Sequence, residues 1–425
     1  MDRILRLLKE CGIKTYTVTS TKKESVELFF IKKNVDMRRM NRKNVFSITV
    51  YKDMLEEGKK IRGFASILVN ESDADDEIKN RIMQSLDSAK YVKNPYFELP
   101  VRELSKEVDC CGDLSGKSLD EIAEEFASAA YSADCDEKAF INSFEVFVTE
   151  KHVRVVTSEE TDVSYVTREI EGEFVAQCKE PQDVETYMDF KYNFLGKEEI
   201  KELIKNTLQV TKDRAKATAG PKSGKYDVIL SDRYVPVLLQ FFLDRANAGL
   251  IYQGFSSFKT GENVQGTDVS GDVFDITYGV TNAFDSAYGN KMEERPMLEG
   301  GVLRNIHGAP RFSHYIGVPK IGTYEKVKIP AGSMGMTEMK NRKCLHVVNF
   351  SDFQMDPLSG HFGGEIRLAY LYDGEGNVSV VTGGSINGSF LSAMKNVRLS
   401  RETEKLWNYE GPKAVLLTDI SVAGE

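Results

Sequence analysis

The sequence is poor in cysteine and contains no long apolar run, and these two absences exclude whole classes of protein. Six cysteines in 425 residues, with no Cys-x-x-Cys pair, are too few for a disulfide-stabilised scaffold. No window approaches the roughly 20 apolar residues that a membrane-spanning helix requires. Charges interrupt the N-terminal segment throughout, and no small-residue cleavage site follows it, so it is not typical of a signal peptide. We therefore expect a cytoplasmic protein without a membrane anchor.

Several motifs of catalysis and ligand binding are also missing. The glycine- and lysine-containing segment at residues 219–225 is not a P-loop, because its glycines are too close together and Lys225 precedes a tyrosine. There is no Gly-x-Ser-x-Gly elbow, and no order of Ser, His and Asp indicates a catalytic triad. Asp373–Asn377 superficially resembles a calcium loop but lacks the closing glutamate. This segment instead predicts a tight hairpin turn.

What is present is typical of a globular protein with an uneven distribution of charge. The chain is 41% hydrophobic and 28% charged, with a net charge of −9. Residues 1–63 hold 16 Lys and Arg against 8 Asp and Glu, so they carry +8 and the remainder carries −17. The basic cluster Ile31–Lys43 suggests an anionic partner, but no aromatic platform or helix-turn-helix pattern accompanies it. We favour a solvated hairpin, and nucleic acid binding is not expected.

The first half of the chain combines strand and helix patterns. Apolar residues at helical spacing predict helices over residues 4–11, 73–89 and 197–217, and a capping box beginning at Ser118 opens another. Residues 139–175 read as further strands. Period-2 alternation predicts an antiparallel sheet with one face exposed to water. Its strands are predicted at Thr15–Thr19, Val26–Ile31, Val45–Tyr51 and Ile61–Val69.

The second half is predicted to be rich in strands. Tyr226–Leu230 indicates a buried strand, and a helix follows for which Asp232 is the expected N-cap. Beyond Leu250, many glycines and few long helices favour short strands and turns. The segment at residues 219–225 is the best candidate boundary. The expected fold is therefore α+β, with a sheet-plus-helices domain at residues 1–220 and a β-rich domain at residues 221–425.

The order of several segments resembles the TldD/PmbA family, which contains metallopeptidases and partner subunits without a metal. The resemblance covers essentially the full length. It is carried by YDVILSDRYVPVLLQFF, GFSSFKTGENV, LEGGVLRNIHGAP, IPAGS and the last seventy residues, from DPLSGHFGGEIRLAYLYDGEGNVSVVTGGSINGS to GPKAVLLTDISVAGE. The resemblance implies the fold of that family, with its β-rich C-terminal part.

In the peptidase-like members of that family, a helix carries a His-Glu-x-x-x-His motif, and a cysteine near the C-terminus supplies a further metal ligand. By ungapped alignment, Gln240 and Arg245 replace the two histidines, and Phe241 replaces the general base. The C-terminal loop RETEKLWNYEGPK has no cysteine. Gln is a poor zinc ligand, Arg repels a cation, and Phe cannot transfer a proton. The resemblance therefore implies the PmbA (TldE) branch, with no metal, no cofactor and no catalytic residue.

Other residues are weaker candidates for a binding site. His307 and His314 flank Arg311 in a glycine-containing segment, which is either a ligand loop or, as we favour, a structural loop. Cys344 and His346 lie two apart on a predicted strand, so their side chains share one face and are half of a possible metal site.

Two more pairs of residues are weak candidates for a metal site or a redox site. His361 and Glu365 also resemble half a site. Cys110 and Cys111 are adjacent, and two reduced cysteines in a loop are favoured over a redox pair.

The resemblance implies a non-catalytic subunit that pairs with a metal-bearing TldD-like chain and acts on unfolded peptides. A homodimer is an open alternative, because both assemblies would use the same kind of apolar surface. An independent peptidase or hydrolase with an unrecognised site is a second alternative. A regulator of DNA gyrase, as the family's historical name suggests, is a third, although the overall acidity argues against direct DNA binding.

Overall fold

The longest alternating segments form one large antiparallel sheet. The computed structural model describes residues 1–424, so Glu425, the last residue of the C-terminal motif, lies outside it. The sheet has the order β4-β3-β2-β1-β6-β7, with β5 and β8 both paired to β7. Its strands are β1 (Tyr16–Ile31), β2 (Asn34–Glu56), β3 (Lys59–Asn70), β4 (Asn94–Pro95), β5 (Val108–Asp109), β6 (Ala139–Thr157), β7 (Asp162–Cys178) and β8 (Val184–Tyr192).

Four helices cover the inner face of this sheet in two groups. The first two helices of the chain pack over one apolar cluster, which contains the predicted residues Ile78 and Ile82. The next two pack over a separate cluster, which contains Ile200 and Ile204. The Ser118 capping box is confirmed, because its hydroxyl accepts the backbone N–H of Glu121 and the Glu121 carboxylate accepts the backbone N–H of Ser118. These helices are α1 (Asp2–Glu10), α2 (Asp75–Ala89), α3 (Leu119–Ser132) and α4 (Lys197–Lys216).

The strands after residue 221 form two further sheets. The seven-stranded sheet contains β9 (Gly224–Ser231), β14 (Lys343–Met355), β15 (His361–Asp373), β16 (Val378–Val381), β17 (Ser385–Ser389), β18 (Arg398–Leu399) and β21 (Ala414–Ala423). The six-stranded sheet contains β10 (Ile276–Gly279), β11 (Arg295–Glu299), β12 (Val302–Leu303), β13 (Lys326–Lys328), β19 (Thr403–Lys405) and β20 (Tyr409–Pro412). The predicted α+β class with a β-rich second half is confirmed.

Short helices accompany these two sheets. They are α5 (Tyr234–Arg245), α6 (Ala248–Tyr252), α7 (Pro310–Ile316), α8 (Met336–Lys340) and α9 (Phe390–Ala393). One apolar cluster joins α5 to strands of both sheets, so α5 lies in the core of this half. All strands of the first sheet precede residue 220, and this segregation supports the division into domains at residues 1–220 and 221–425, which remains a proposal.

Two local predictions differ from the structure. The predicted strands Thr15–Thr19 and Val26–Ile31 belong, from Tyr16 onward, to the single strand β1, because β2 and β6 pair with the polar residues between them and satisfy their backbone groups. Asp232 is not the N-cap of the next helix. It adopts a left-handed backbone conformation with φ of 55°, its carboxylate accepts the hydroxyl of Ser231, and α5 begins two residues later.

The predicted hairpins are confirmed. The basic cluster Ile31–Lys43 lies on the β1–β2 hairpin, with its strand residues exposed. Asp373–Asn377 connects β15 to β16, and the Asp373 carboxylate accepts the backbone N–H groups of Glu375 and Asn377. No helix within residues 1–424 has the length and apolar character to cross a membrane.

Candidate functional site

Helix α5 is apolar on almost every side, which is why it lies inside the second half of the molecule rather than on its surface. Tyr234, Val235, Leu238, Leu239 and Phe242 are buried, as are both residues that flank Phe242. Pro236 lies in the first turn, where the missing backbone N–H removes no intrahelical hydrogen bond. The three positions aligned with the metal motif all lie on this helix, so their surroundings decide what the site can do.

Gln240 makes its contact within the helix. Its amide donates a hydrogen bond of 3.0 Å to the carboxylate of Asp244, one turn further on. Burial raises the pKa of Asp244 above its usual range, and the Gln240 amide opposes that shift by stabilising the carboxylate. Gln240 therefore serves as the local hydrogen-bond partner of a partly buried acid.

Phe241 is fully buried within a cluster of aromatic rings. Its ring centroid lies 5.4 Å from those of Phe242 and Phe390 and 6.2 Å from that of Phe258, in edge-to-face arrangements. Such pairs contribute about 0.5–1.5 kcal/mol each beyond the burial of their area. The position that the resemblance aligns with the general base is thus part of the hydrophobic core.

Arg245 ends the helix and binds two loops to it. Its guanidinium donates hydrogen bonds of 3.3 and 3.0 Å to the carbonyls of Pro357 and Leu358, and one of 3.3 Å to the hydroxyl of Ser257. It also lies 5.5 Å from the ring centre of Phe241. Burial lowers the pKa of Arg245. The Arg245 guanidinium therefore organises the surrounding backbone.

Phe241 thus packs in the core, Gln240 makes one side-chain hydrogen bond, and Arg245 holds two loops against the helix. A phenyl ring carries no group that transfers a proton, and a buried guanidinium repels a divalent cation. In the part of the chain that the structure describes, no cluster of three or more His, Cys, Asp or Glu side chains has the arrangement of a metal site.

The candidate residues His307, Arg311 and His314 do not form one pocket. His307 is buried beneath α5, where its Nε2–H donates to the carbonyl of Leu243 at 2.9 Å and its Nδ1 accepts the backbone N–H of Tyr324 at 3.2 Å. Burial lowers the pKa of His307 to about 4, so the ring is neutral. This arrangement supports the structural interpretation of His307.

Arg311 and His314 lie on α7, in surroundings that differ from those of His307. The Arg311 guanidinium stacks 5.1 Å from the ring centre of Phe64 on β3, which places it between the two halves of the chain. His314 is exposed. Arg311 and His314 are close to His307 in the sequence, which suggested a common site. In the structure they lie on the helix that begins at Pro310, and a helix turns successive side chains to different sides.

The second half of this fold also matches a known sequence family. The family model described as the PmbA/TldA metallopeptidase C-terminal domain matches residues 223–424. Residues 223–424 therefore match the TldD/PmbA family in sequence. A comparison with curated protein sequences found no significant match.

Three solved structures share the fold over the whole chain. TldE from Thermococcus kodakarensis is 15% identical, covers 99% of this chain and 100% of its own, and has a TM-score of 0.77. A proposed modulator of a DNA gyrase from Thermotoga maritima is 18% identical, with 99% of each chain covered and a TM-score of 0.75. A proposed modulator of DNA gyrase from Bacteroides thetaiotaomicron is 15% identical, covers 100% of this chain and 98% of its own, and has a TM-score of 0.75.

Within the part of the chain that matches the family model, Cys344 and His346 are buried on β14 but engage different partners. The Cys344 thiol contacts the carbonyl of Met339 at 3.7 Å, whereas His346 Nε2 lies 2.9 Å from the hydroxyl of Ser231. Burial raises the pKa of Cys344 to about 11 and lowers that of His346 to about 3. A protonated thiol is a poor metal ligand, so these surroundings do not favour the half-site interpretation.

Two further candidate pairs from the sequence also lie in ordinary surroundings. His361 and Glu365 are exposed on β15, and Glu365 accepts the hydroxyl of Ser351. Cys110 and Cys111 are free, and burial raises both pKa values, that of Cys111 to about 12. Their unpaired state agrees with the favoured interpretation of two reduced cysteines, which stays a prediction.

The C-terminal loop without a cysteine has a role that no sequence pattern indicated. Residues 403–409 reach across to the N-terminal half, where the Lys405 ammonium lies 4.1 Å from the ring centre of Phe194. Trp407 lies 4.7 Å from the ammonium of Lys191. The signal in the sequence for a packing role of this loop was Trp407, the only tryptophan of the chain, because exposed loops seldom carry tryptophan. This loop couples the two halves.

A partly buried acid lies in the same loop. One carboxylate oxygen of Glu404 is shielded from solvent without a hydrogen-bond partner among the described residues. Burial raises the pKa of Glu404 to about 8, the carboxylate of Asp232 adds to the shift, and the ammonium of Lys413 opposes it. Lys413 itself pairs with Glu202 of α4. Glu404 is therefore protonated through much of the physiological pH range.

Proposed function

We propose that this chain is a non-catalytic, TldE-like subunit that completes a metalloprotease together with a metal-bearing TldD-type chain. The observation that carries the proposal is Phe241, which occupies the general-base position and is fully buried among other aromatic rings. A carboxylate is required there to activate a metal-bound water, and a core phenylalanine leaves that task to another polypeptide.

The similarity in fold to a protein named TldE supports this proposal over the whole length of the chain. The role is to shape the chamber of the complex and to bind extended, unfolded peptides. Exposed strand edges suit that task, because a peptide that adds a strand gains main-chain hydrogen bonds. As part of the same proposal, the complex acts in the cytoplasm.

Regulation of DNA gyrase is a second candidate, and the printed names of two structures of the same fold refer to it. The basic hairpin is the sequence feature in its favour. Its arginines are already paired with carboxylates of the same chain, as Arg38 is with Asp120 and Arg42 is with Glu24. This internal neutralisation weakens attraction to phosphate, so the protease-subunit proposal is the stronger.

The proposal is tested by metal analysis and proteolysis of an unfolded polypeptide. The purified chain alone should hold no stoichiometric metal and cleave nothing, a TldD-type subunit alone should cleave slowly or not at all, and the mixture should cleave. Stoichiometric metal or proteolysis from the chain alone would instead support an independent hydrolase. In that case the region of Cys344 and His346 would be the first to mutate.

A further inference from the structure

The loop of residues 403–409 lies between the apolar cores of the two halves. The side chain of Leu406 packs against both, because it contacts the apolar cluster around α5 and the cluster beneath α3 and α4. Trp407 is half-buried beside Lys191 of β8. The backbone N–H of Leu406 donates to the carbonyl of Tyr409 at 2.7 Å, which closes the turn between β19 and β20. This loop is therefore one of the contacts that join the two halves.

Strand β19, which begins this loop, is held by few hydrogen bonds. It has three residues and lies at the end of the six-stranded sheet. Among the strand pairings of residues 1–424, it pairs with β20 only. Short elements with few backbone hydrogen bonds and partly exposed side chains open at a smaller cost in free energy than core strands. A single change of charge can therefore move this loop without unfolding either half.

Glu404, in the middle of β19, lies in a group of side chains with more carboxylates than cations. Burial raises the pKa of Glu404, the carboxylates of Asp232 and Glu202 raise it further, and the ammonium of Lys413 opposes them. That ammonium is already engaged, because it pairs with Glu202 and lies 3.6 Å from Asp232. One carboxylate oxygen of Glu404 is shielded from solvent and has no hydrogen-bond partner among residues 1–424. Three carboxylates thus share one ammonium, and Glu404 is the one with which it forms no ion pair.

Two tyrosines also face Glu404, namely Tyr192 of β8 and Tyr409 of β20. Burial raises the pKa of both, and the charge of Glu404 raises it further, so their hydroxyls stay neutral near pH 7. Glu199 of α4 adds another carboxylate on the side of Tyr192. These neighbours supply no cation. Glu404, with a pKa raised to about 8, therefore changes its charge close to neutral pH without a group that compensates it.

We propose that Glu404 is a pH-sensitive switch for the contact between the two halves: the loop of residues 403–409 is docked between them while Glu404 is protonated and is released when Glu404 ionises. In the docked position, the ionised carboxylate is shielded from water beside Asp232 and Glu202, which is unfavourable. When the loop moves outward, the proton has passed to solvent, the carboxylate is hydrated, and Leu406 no longer contacts both cores.

The sign of the pH dependence follows from the two positions of the loop. The docked position holds the proton more tightly, because Glu404 has a pKa of about 8 there and an ordinary pKa of about 4.3 when it is hydrated. The equilibrium constant for docking should therefore be largest at low pH and fall about 10-fold for each pH unit between about 5 and 8. Above about pH 8 it should become level, since Glu404 is then ionised in both positions.

The test is hydrogen exchange of the backbone amides of residues 403–409 in the full chain, followed by mass spectrometry from pH 5.5 to 9 and corrected for the intrinsic rate. Quenching of Trp407 fluorescence by acrylamide reports the same movement, because the chain has no other tryptophan. The first variant, Glu404→Gln, keeps the shape and removes the charge. The second, Asp232→Asn, removes one neighbouring carboxylate and keeps a residue type that tolerates the left-handed backbone at this position. The matched control is Glu410→Gln, which removes an exposed glutamate from the adjacent strand.

We expect protection of these amides to fall about 10-fold for each pH unit between pH 6 and 7.5 in the wild type and in the Glu410→Gln control. In Glu404→Gln it should stay within about 3-fold over that range, and in Asp232→Asn the decline should end at a lower pH than in the wild type. Protection that does not change with pH in the wild type would overturn the inference, as would a Glu404→Gln protein that keeps the wild-type slope. An equal loss of protection throughout β6 would mean that the whole chain unfolds, and it too would overturn the inference.

Discussion

Replacing Phe241 with glutamate should unfold the second half of the molecule near neutral pH rather than create a catalytic base. The ring is fully buried, and removing such a ring costs about 3–5 kcal/mol of unfolding free energy. Placing a carboxylate in the vacated core adds several kcal/mol, because a lone charge is poorly solvated there. The total is comparable with the 5–15 kcal/mol that stabilises a typical domain.

The pH dependence of this variant has a defined sign. A buried glutamate has a folded-state pKa above its unfolded value of about 4.3, so the folded state binds the extra proton. The added destabilisation is therefore absent below about pH 4 and grows as the pH rises. Phe241→Gln is the matched control, since it has nearly the same shape without an ionisable group, and the difference in stability between the two variants should widen from pH 5 to pH 8.

Urea unfolding followed by circular dichroism at 222 nm measures these free energies. A Phe241→Glu protein within about 1 kcal/mol of the wild type at pH 8 would refute the reasoning, because it would mean that position 241 reaches solvent. Adding Gln240→His to this variant should not produce a zinc peptidase, since Arg245 still occupies the second histidine position. Zinc-dependent proteolysis by that double variant would contradict our account of the helix.

Three further outcomes follow from the buried ionisable groups. Because the pKa of Glu404 is raised to about 8, its ionisation should reduce stability as the pH rises from about 4.5 through 8, so Glu404→Gln should be more stable than the wild type at pH 8 and lack that slope in urea titrations. Because burial lowers the pKa of His307 to about 4, stability should be lost as the pH falls from about 6.5 to 4, and an unshifted NMR titration of this histidine near pH 6.5 would exclude the buried neutral ring. Exposed Cys135 should react with a thiol reagent within minutes, whereas Cys344, with a pKa of about 11, should react only after unfolding, and equal rates would show that the second half is open.

Local patterns predicted most of the elements, because the side chains that define them also define their periodicity. The apolar spacing of Ile78 and Ile82 and the capping box at Ser118 are properties of a few neighbouring residues, and the structure confirms both. The three residues that the resemblance aligns with the metal motif all lie on α5, and their replacement of that motif stays a prediction. The polar middle of β1 escaped prediction, because its extended conformation depends on hydrogen bonds from β2 and β6.

The chemistry of individual side chains depended on distant residues. His307 and His314 are seven residues apart in the sequence, yet one is buried beneath α5 and the other is exposed. The raised pKa of Glu404 arises from burial beside Asp232, about 170 residues away in the sequence, against the partial compensation of Lys413. No local pattern encodes such neighbours, since a pKa depends on which groups the fold brings together.

The sequence by itself determined the class of the fold and the positions of its main helices and hairpins, and it predicted that Gln240, Phe241 and Arg245 stand at the metal-helix positions. These are properties of periodicity and residue type, and they follow from short stretches of chain. Only the tertiary structure decided that Phe241 is buried among aromatic rings, that Arg245 holds two loops, and that β3 pairs with β2 only from Val45 onward. The physical reason is that burial and strand pairing are decided by segments far apart in the sequence.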